Sequence, residues 1–206
     1  MKIVEPSVTL EWITPTPLLA IERAGRVCYK SEDKITDDSA ERFCKMIYQK
    51  GHESVVEHAV ASLRIICDRG VSHEIVRHRL ASYSQESTRY CNYSKEKFGS
   101  EIAVIQPPDM NEFQFTYWKK GMLAAEQAYV KMLQEGATPQ IARSVLPNSL
   151  KTELVMTANF REWKHFIHLR TSSAAHPQMR QIAEMVRNTL ARECPFVFAQ
   201  EQSQDV

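Results

Sequence analysis

A chain of 206 residues, 43% apolar and 25% charged, is sized and composed for one domain with a real core. Its net charge of +1 excludes a global field for gripping nucleic acid or an anionic membrane, so any positive site must come from local clustering. No apolar run approaches the roughly 18 residues of a membrane span, and six glycines without G-x-G-x-x-G or a P-loop exclude a simple dinucleotide-binding reading. Residues 1–13 contain no signal-peptide core. The five cysteines are scattered, odd in number and never C-x-x-C, which points to free thiols in a reducing cytoplasm.

In chain order, residues 2–13 alternate weakly and end at a Pro-Thr-Pro break, as an edge strand would. Thr16-Pro17 has the form of a helix N-cap with proline first, and the helix would turn Leu18, Ile21, Ala24 and Cys28 inward. A second helix repeats Ala40, Phe43, Cys44, Ile47 and Tyr48 at helical spacing. It is expected to start after Thr36, with two aspartates in its first turn and Gly51 as its stop. Residues 59–67 read as a strand with Ala61, Leu63, Ile65 and Cys67 on one face, followed by a turn at residues 68–70. Ser72 would then cap a short helix running to about His78.

Residues 77–90, RHRLASYSQESTRY, are the part that folding needs alone do not explain. Three arginines (77, 79 and 89), His78 and the hydroxyls of Ser82, Ser84, Ser87 and Thr88 leave only Leu80 and Ala81 as aliphatics. The pattern predicts a loop, either solvated and salt-bridged or built around phosphate oxygens and planar heterocycles. Residues 90–93 and 102–105 are short strand candidates. A long helix over 112–135 would bury Trp118, Met122, Ala125, Tyr129, Met132 and Leu133 and stop at Gly136. A shorter helix lies between Thr138-Pro139 and Pro147, a strand over 151–158 and a helix over 160–170. Pro177 opens a last long helix with Ile182, Met185, Val186 and Leu190 inward. With no repeat, linker or low-complexity tract, the chain reads as one α+β domain.

Histidine spacing argues against a metal. His73 and His78 stand five apart, which puts their rings about 140° apart on a helix. His165 and His168 have no nearby carboxylate or cysteine to complete a ligand set. No G-x-S-x-G elbow surrounds any serine. The arginines say more. Helical projection places Arg170 on the apolar stripe of Trp163, Phe166 and Ile167, where it needs an anion, a carbonyl or an internal ion pair. Arg161 and His165 share another face, and Arg143 sits among Ile141, Ala142, Val145 and Leu146. Inward-leaning arginines in a nearly neutral protein suggest a concentrated anion site.

The stretch resembles the signature R-H-R-x-x-S-x-N-x-x-S-x-R of flavin-dependent thymidylate synthases, matched by Arg77, His78, Arg79, Ser82, Ser87 and Arg89, with Ser84 at the asparagine position. GHESVVEH at 51–58, ARSVLP at 142–147 and ANFREWKHFIHLR at 158–170 are similar to three further segments of that family, so the likeness runs from about residue 20 to 196. His165 stands where the family often has asparagine. The resemblance implies an α+β domain with a small mixed or antiparallel sheet. It implies reductive methylation of dUMP to dTMP, with carbon from 5,10-methylenetetrahydrofolate, electrons from NADPH, FAD as hydride carrier, tetrahydrofolate as product and no covalent enzyme nucleophile. A cytoplasmic homotetramer with active sites shared between subunits is implied too, with neither nucleic acid nor membrane as partner.

By matched position, the resemblance assigns FAD to His52, Ser54, Arg77, His78, Arg79, Ser84, Gln85, Asn159, Arg161 and His165. It assigns dUMP to Glu74, Ile75, Val76, Arg77, Gln85, Glu86, Ser87, Thr88, Arg89, Arg143 and Arg170. Arg170 carries the activating role beside the uracil, where a cation stabilises anionic character on the ring. Several arginines suit this ligand set, because two unit charges at 4 Å interact by about 4 kcal/mol at an effective dielectric near 20. Two other readings remain open: a nucleotide or nucleic-acid binder without redox chemistry, disfavoured by the near-neutral charge, and a metallohydrolase, disfavoured by histidine spacing.

Overall fold

The computed structural model describes residues 1–199. In chain order its strands are β1 (Lys2–Ile3), β2 (Ser7–Ile13), β3 (Val60–Asp68), β4 (Ala81–Gln85), β5 (Ala103–Val104) and β6 (Lys151–Asn159). Its helices are α1 (Pro17–Val27), α2 (Ser39–Gln49), α3 (Arg69–Ile75), α4 (Glu112–Gln134), α5 (Pro139–Ala142), α6 (Phe160–Thr171), α7 (Pro177–Glu193) and α8 (Pro195–Phe198). The main sheet is antiparallel in the order β2-β3-β6-β4, and β1 pairs with β5 in a small parallel sheet. The α+β expectation, with a small mixed or antiparallel sheet, is met.

One face of the main sheet makes the core because its strands alternate. Ala61, Leu63, Ile65 and Cys67 of β3 and Leu154, Met156 and Ala158 of β6 are buried beneath Ile21, Phe43, Ile47, Trp163, Phe166, Ile182 and Val186 from α1, α2, α6 and α7. The opposite face carries charge. Arg64 pairs with Glu11 and Glu153, and Lys151 pairs with Glu153 and, at 2.8 Å, with Glu86. A second apolar cluster gathers Tyr93, Ile102, Val104, Tyr129, Ala142 and Leu150 beside α4.

Several local expectations are corrected. Residues 81–85 are not loop but the strand β4, in register with β6 from Ala81↔Ala158 to Gln85↔Leu154. Its alternation was hidden because the outward residues are serines and one inward residue is Gln85. α3 ends at Ile75, not His78, and its cap is Asp68, whose Oδ1 accepts from the Val71 N–H at 2.7 Å; Ser72 lies inside the helix. Thr16 precedes α1 in a left-handed conformation (φ 46°) and makes no side-chain cap bond. α2 begins at Ser39, so Asp37 and Asp38 precede it. Cys28 is exposed. Residues 90–93 form turns rather than a strand, with Tyr93 buried in the second cluster. The short helix α8 had no expectation in the sequence.

Candidate active site

Three groups of side chains draw on the segments singled out in the sequence. The first is centred on the end of α3. His78 lies within 4% of full burial, its Nδ1 3.1 Å from Glu162 Oε1, while the Arg170 Nε–H donates to its Nε2 at 3.1 Å. Arg170 also donates from Nη1 to Glu74 Oε2 at 2.9 Å and from Nη2 to the Glu74 carbonyl at 3.2 Å. The relay Glu162–His78–Arg170–Glu74 thus joins α6 to α3. It is sealed by Phe166, whose ring lies 4.8 Å from that of His78, and edged by His165 at 5.7 Å. Burial, then the Arg170 and His165 charges, hold the His78 pKa below its ordinary value against the pull of Glu162.

The segment is held in place from below. Tyr83 donates its hydroxyl to the carbonyls of Ile75 (3.0 Å) and His78 (2.6 Å), and burial pushes its pKa up to about 12. Gln85 donates to Ser72 Oγ and Thr152 Oγ1, which ties β4 to α3 and β6. Ile75 is core, whereas Val76, Arg77, Arg79, Ser82 and Ser84 are exposed. The chain turns its structural members inward and leaves two arginines and two serines free to meet a ligand.

The second group follows β4. Thr88 is buried, and its Oγ1 accepts from Arg143 Nη1 at 3.3 Å. Arg89 Nε donates to Gln140 at 3.2 Å, and the Arg89 N–H donates to Ser87 Oγ at 3.3 Å. Two arginines and two hydroxyls therefore share one patch between β4 and α5. Arg143 itself is exposed, not inward-leaning as its apolar neighbours suggested. Beside this patch Glu86 accepts from Tyr93 and Lys151, at 2.7 and 2.8 Å, at the edge of a cavity of about 610 Å³ over the open sheet face.

The third group borders a larger cleft of about 1070 Å³ lined by Asn159, Arg161, Lys164, His165, His168 and Arg187 among others. Asn159 is the cap of α6, its Oδ1 accepting from the Glu162 N–H at 2.9 Å. Arg161 and Lys164 pair with Glu57 and Glu53 of the 3-10 turn Glu53–His58, which carries exposed Ser54 just after exposed His52. The Lys164 hydrogen bond holds the Glu53 carboxyl below its usual range. Burial alone would lower the Lys164 pKa, but bonds to Glu53 and Tyr48 raise it overall.

Sequence reasoning missed Glu162, Lys164, Glu53, Glu57 and Gln140. The only signal for Glu162 is its place three residues after Asn159, which marks a helix start and not a partner 84 positions away. Cys44, Cys67 and Cys194 are buried thiols, pushed by burial up to about 12, 12 and 11. Among the described residues no three His, Cys, Asp or Glu side chains gather as a metal site, and no helix is long and apolar enough to cross a membrane.

An α+β scaffold with arginines at both ends of one strand and an open cleft of paired charges beside it suits a protein that handles charged ligands. Residues 9–196 match the family described as thymidylate synthase complementing protein. The flavin-dependent thymidylate synthase of Pyrococcus abyssi is 33% identical over 192 residues, covering 90% of this chain and 79% of that protein. That of Geobacter sulfurreducens is 35% identical over 192 residues, covering 90% and 82%. Among solved structures, the UMP/dUMP methylase PolB of Streptomyces cacaoi, bound with 5-Br dUMP, superposes with TM-score 0.80 at 23% identity, over 96% of this chain and 95% of that one. Thymidylate synthase X of Helicobacter pylori, with FAD and dUMP, gives 0.75 at 23%, over 94% and 97%. The chain belongs to the flavin-dependent thymidylate synthase family.

Proposed function

We propose that the protein converts dUMP to dTMP, taking the carbon of 5,10-methylenetetrahydrofolate and two electrons from NADPH and releasing tetrahydrofolate. The methylene arrives at the formaldehyde level and leaves as methyl, so a hydride must be added. FAD, when bound, supplies the carrier for that hydride. The observation that carries the reading is the Arg170 guanidinium, held by His78 of the signature segment and by Glu74 just before it, with two N–H bonds that no described residue engages.

The residues fit such a ligand set. Asn159, Arg161 and His165 in the larger cleft and the exposed Arg77 and Arg79 provide donors for a diphosphate and a flavin edge, with Arg161 exchanging its Glu57 partner for the ligand. His52, Ser54, Ser84 and Gln85 complete the flavin assignment. Ser87, Thr88, Arg89 and Arg143 would hold the nucleotide phosphate, because they already converge. Glu74, Val76 and Glu86 would border the rest of the nucleotide, while the Ile75 side chain, assigned to it by matched position, is packed in the core. Arg170 would stand at the uracil carbonyls and N3, stabilising negative charge as C5 becomes electron-rich. The uracil is thus activated by a positioned cation and not by an enzyme nucleophile.

The same reading includes a homotetramer with shared sites, and the spacing of the groups is compatible with it. From Tyr83, which anchors the Arg170 group, to Thr88 of the phosphate patch is five residues, at most about 17 Å of extended chain. The two groups lie towards opposite ends of β4, which suits sites completed by another copy. We assign the enzyme to the cytoplasm.

The test is the complete assay: dUMP, 5,10-methylenetetrahydrofolate, NADPH and FAD, scored for dTMP. Purified protein should be yellow, and its flavin absorbance should bleach when NADPH is added without oxygen. A colourless protein that cannot be reconstituted with FAD would sink the reading. Arg79→Ala should lower flavin retention; full retention would remove that contact.

A further inference from the structure

The relay around His78 has a definite proton arrangement. The Arg170 Nε–H can only donate, so His78 Nε2, 3.1 Å away, must present its lone pair. The proton of a neutral imidazole then sits on Nδ1 and points at Glu162 Oε1, 3.1 Å away. The other tautomer would set donor against donor at Arg170 and acceptor against acceptor at Glu162. A doubly protonated ring would also face the guanidinium with N–H against N–H. Only the Nδ1–H form satisfies both ends at once.

Glu162 is itself fixed for this task. It stands in the first turn of α6, where the helix terminus favours a negative charge, and it is 6% exposed. Its own N–H is held by Asn159 Oδ1 at 2.9 Å. Phe166 packs on the His78 ring and the Tyr83 hydroxyl fixes the His78 carbonyl. With Nε held by His78 and both Nη atoms held by Glu74, three of the five N–H bonds of Arg170 are committed and the plane of the fork is set.

We propose that Glu162 is a positioning residue for Arg170, acting through His78. The Glu162 carboxylate locks the ring as an acceptor toward Arg170, and the two remaining guanidinium N–H bonds are thereby aimed at the pyrimidine. The inference rests on the dUMP methylation reading for its consequence, but the tautomer it requires does not. It also separates His78 from the other residues of the signature. Both ring nitrogens are taken by protein, so its side chain serves the fork of Arg170, and the exposed Arg77 and Arg79 are left to meet the flavin.

The test pairs a spectroscopic readout with kinetics on the full-length, FAD-loaded enzyme. In protein labelled with ¹⁵N-histidine, the His78 ring, assigned by its loss in His78→Gln, should show the Nδ1–H tautomer at pH 7.5. A wild-type ring protonated at Nε2, or at both nitrogens, would overturn the proposal without any variant being needed. Glu162→Ala should convert the ring to a tautomer mixture and lower kcat about 10- to 100-fold, with the KM for dUMP and the flavin content little changed. Glu162→Gln keeps a carbonyl oxygen facing Nδ1 and should restore the tautomer and most of kcat. A purely architectural Glu162 predicts instead a lower melting temperature and flavin loss with the tautomer unmoved, and that result would overturn the proposal. So would a tautomer change with kcat intact. Absence of dTMP formation by the unsubstituted enzyme would strike the functional reading alone, since the ring spectrum is read without turnover.

Discussion

At the scale of single residues, the site is a set of polar groups that satisfy each other before any ligand arrives. Arg170 shows how much of that was legible. Its place on the Trp163–Phe166 stripe follows from helical projection, and that projection required a partner of opposite character. The partners themselves, Glu74 and His78, are 96 and 92 positions away, a distance that no periodicity spans. Truncating Arg170 to alanine should lower dTMP formation about 10²- to 10³-fold, the usual cost of removing one preorganised donor from a developing charge. Flavin content should persist, and unchanged turnover would refute the assigned role. His78 adds a pH dependence. Its native pKa lies below the ordinary value, held there by burial and by the charges of Arg170 and His165. As pH falls below about 6.5 the unfolded chain takes up a proton that the native ring refuses, so stability drops until the depressed native value is passed. Denaturant titrations at pH 7 and pH 5 should show this loss in the wild type and a smaller one in His78→Gln. Equal losses of unfolding free energy in the two proteins would mean that the ring is not held neutral.

At the scale of elements, legibility tracked hydrophobic alternation. β3, β6 and α7 were readable because buried apolar side chains recur at the period of a strand or helix, and α4 because half-buried ones do. β4 was not, because serines on its outer face and Gln85 on its inner one flatten the contrast that reveals a strand. Its pairing with β6 supplies the order that its composition conceals. The cap of α3 was misplaced because Ser72 and Asp68 are both good caps; Asp68 Oδ1 takes the Val71 N–H, while Ser72 Oγ donates to the Arg69 carbonyl within the helix. The seam between α1 and α2 offers a quantitative check. A Cβ on Gly25 would stand 2.6 Å from Phe43 Cζ and 3.1 Å from Val55 Cγ1. Gly25→Ala gains about 1 kcal/mol in helix propensity, but overpacking of this kind costs about 1–3 kcal/mol. The variant should therefore melt a few degrees lower, and a rise in melting temperature would mean that the Phe43 ring moves aside without cost.

At the scale of the whole molecule, α4 is the element that the other described residues leave half covered. Its 23 residues run about 35 Å, yet only Tyr129 is fully buried. The apolar residues that the sequence placed inward (Trp118, Met122, Met132 and Leu133) pack on the second cluster without being covered by it. On the other side Phe113, Tyr117, Gly121 and Ala124 are exposed. At 100° per residue these four fall within an arc of about 80°. Two large rings followed by two residues small enough for close approach form a surface suited to another helix, and an apolar stripe of this kind is usually covered. The proposed homotetramer would cover it with a second copy. Replacing Tyr117 by aspartate and Ala124 by arginine puts charge and bulk on that stripe without touching the side chains of the three site groups. Light scattering should find the wild type at about four chain masses and the double variant below that. Far-ultraviolet circular dichroism should be preserved, while dTMP formation falls with the assembly. A variant that keeps both its mass and its activity would show that α4 is not the seam. One that loses mass but keeps activity would show that each site is complete within a single chain.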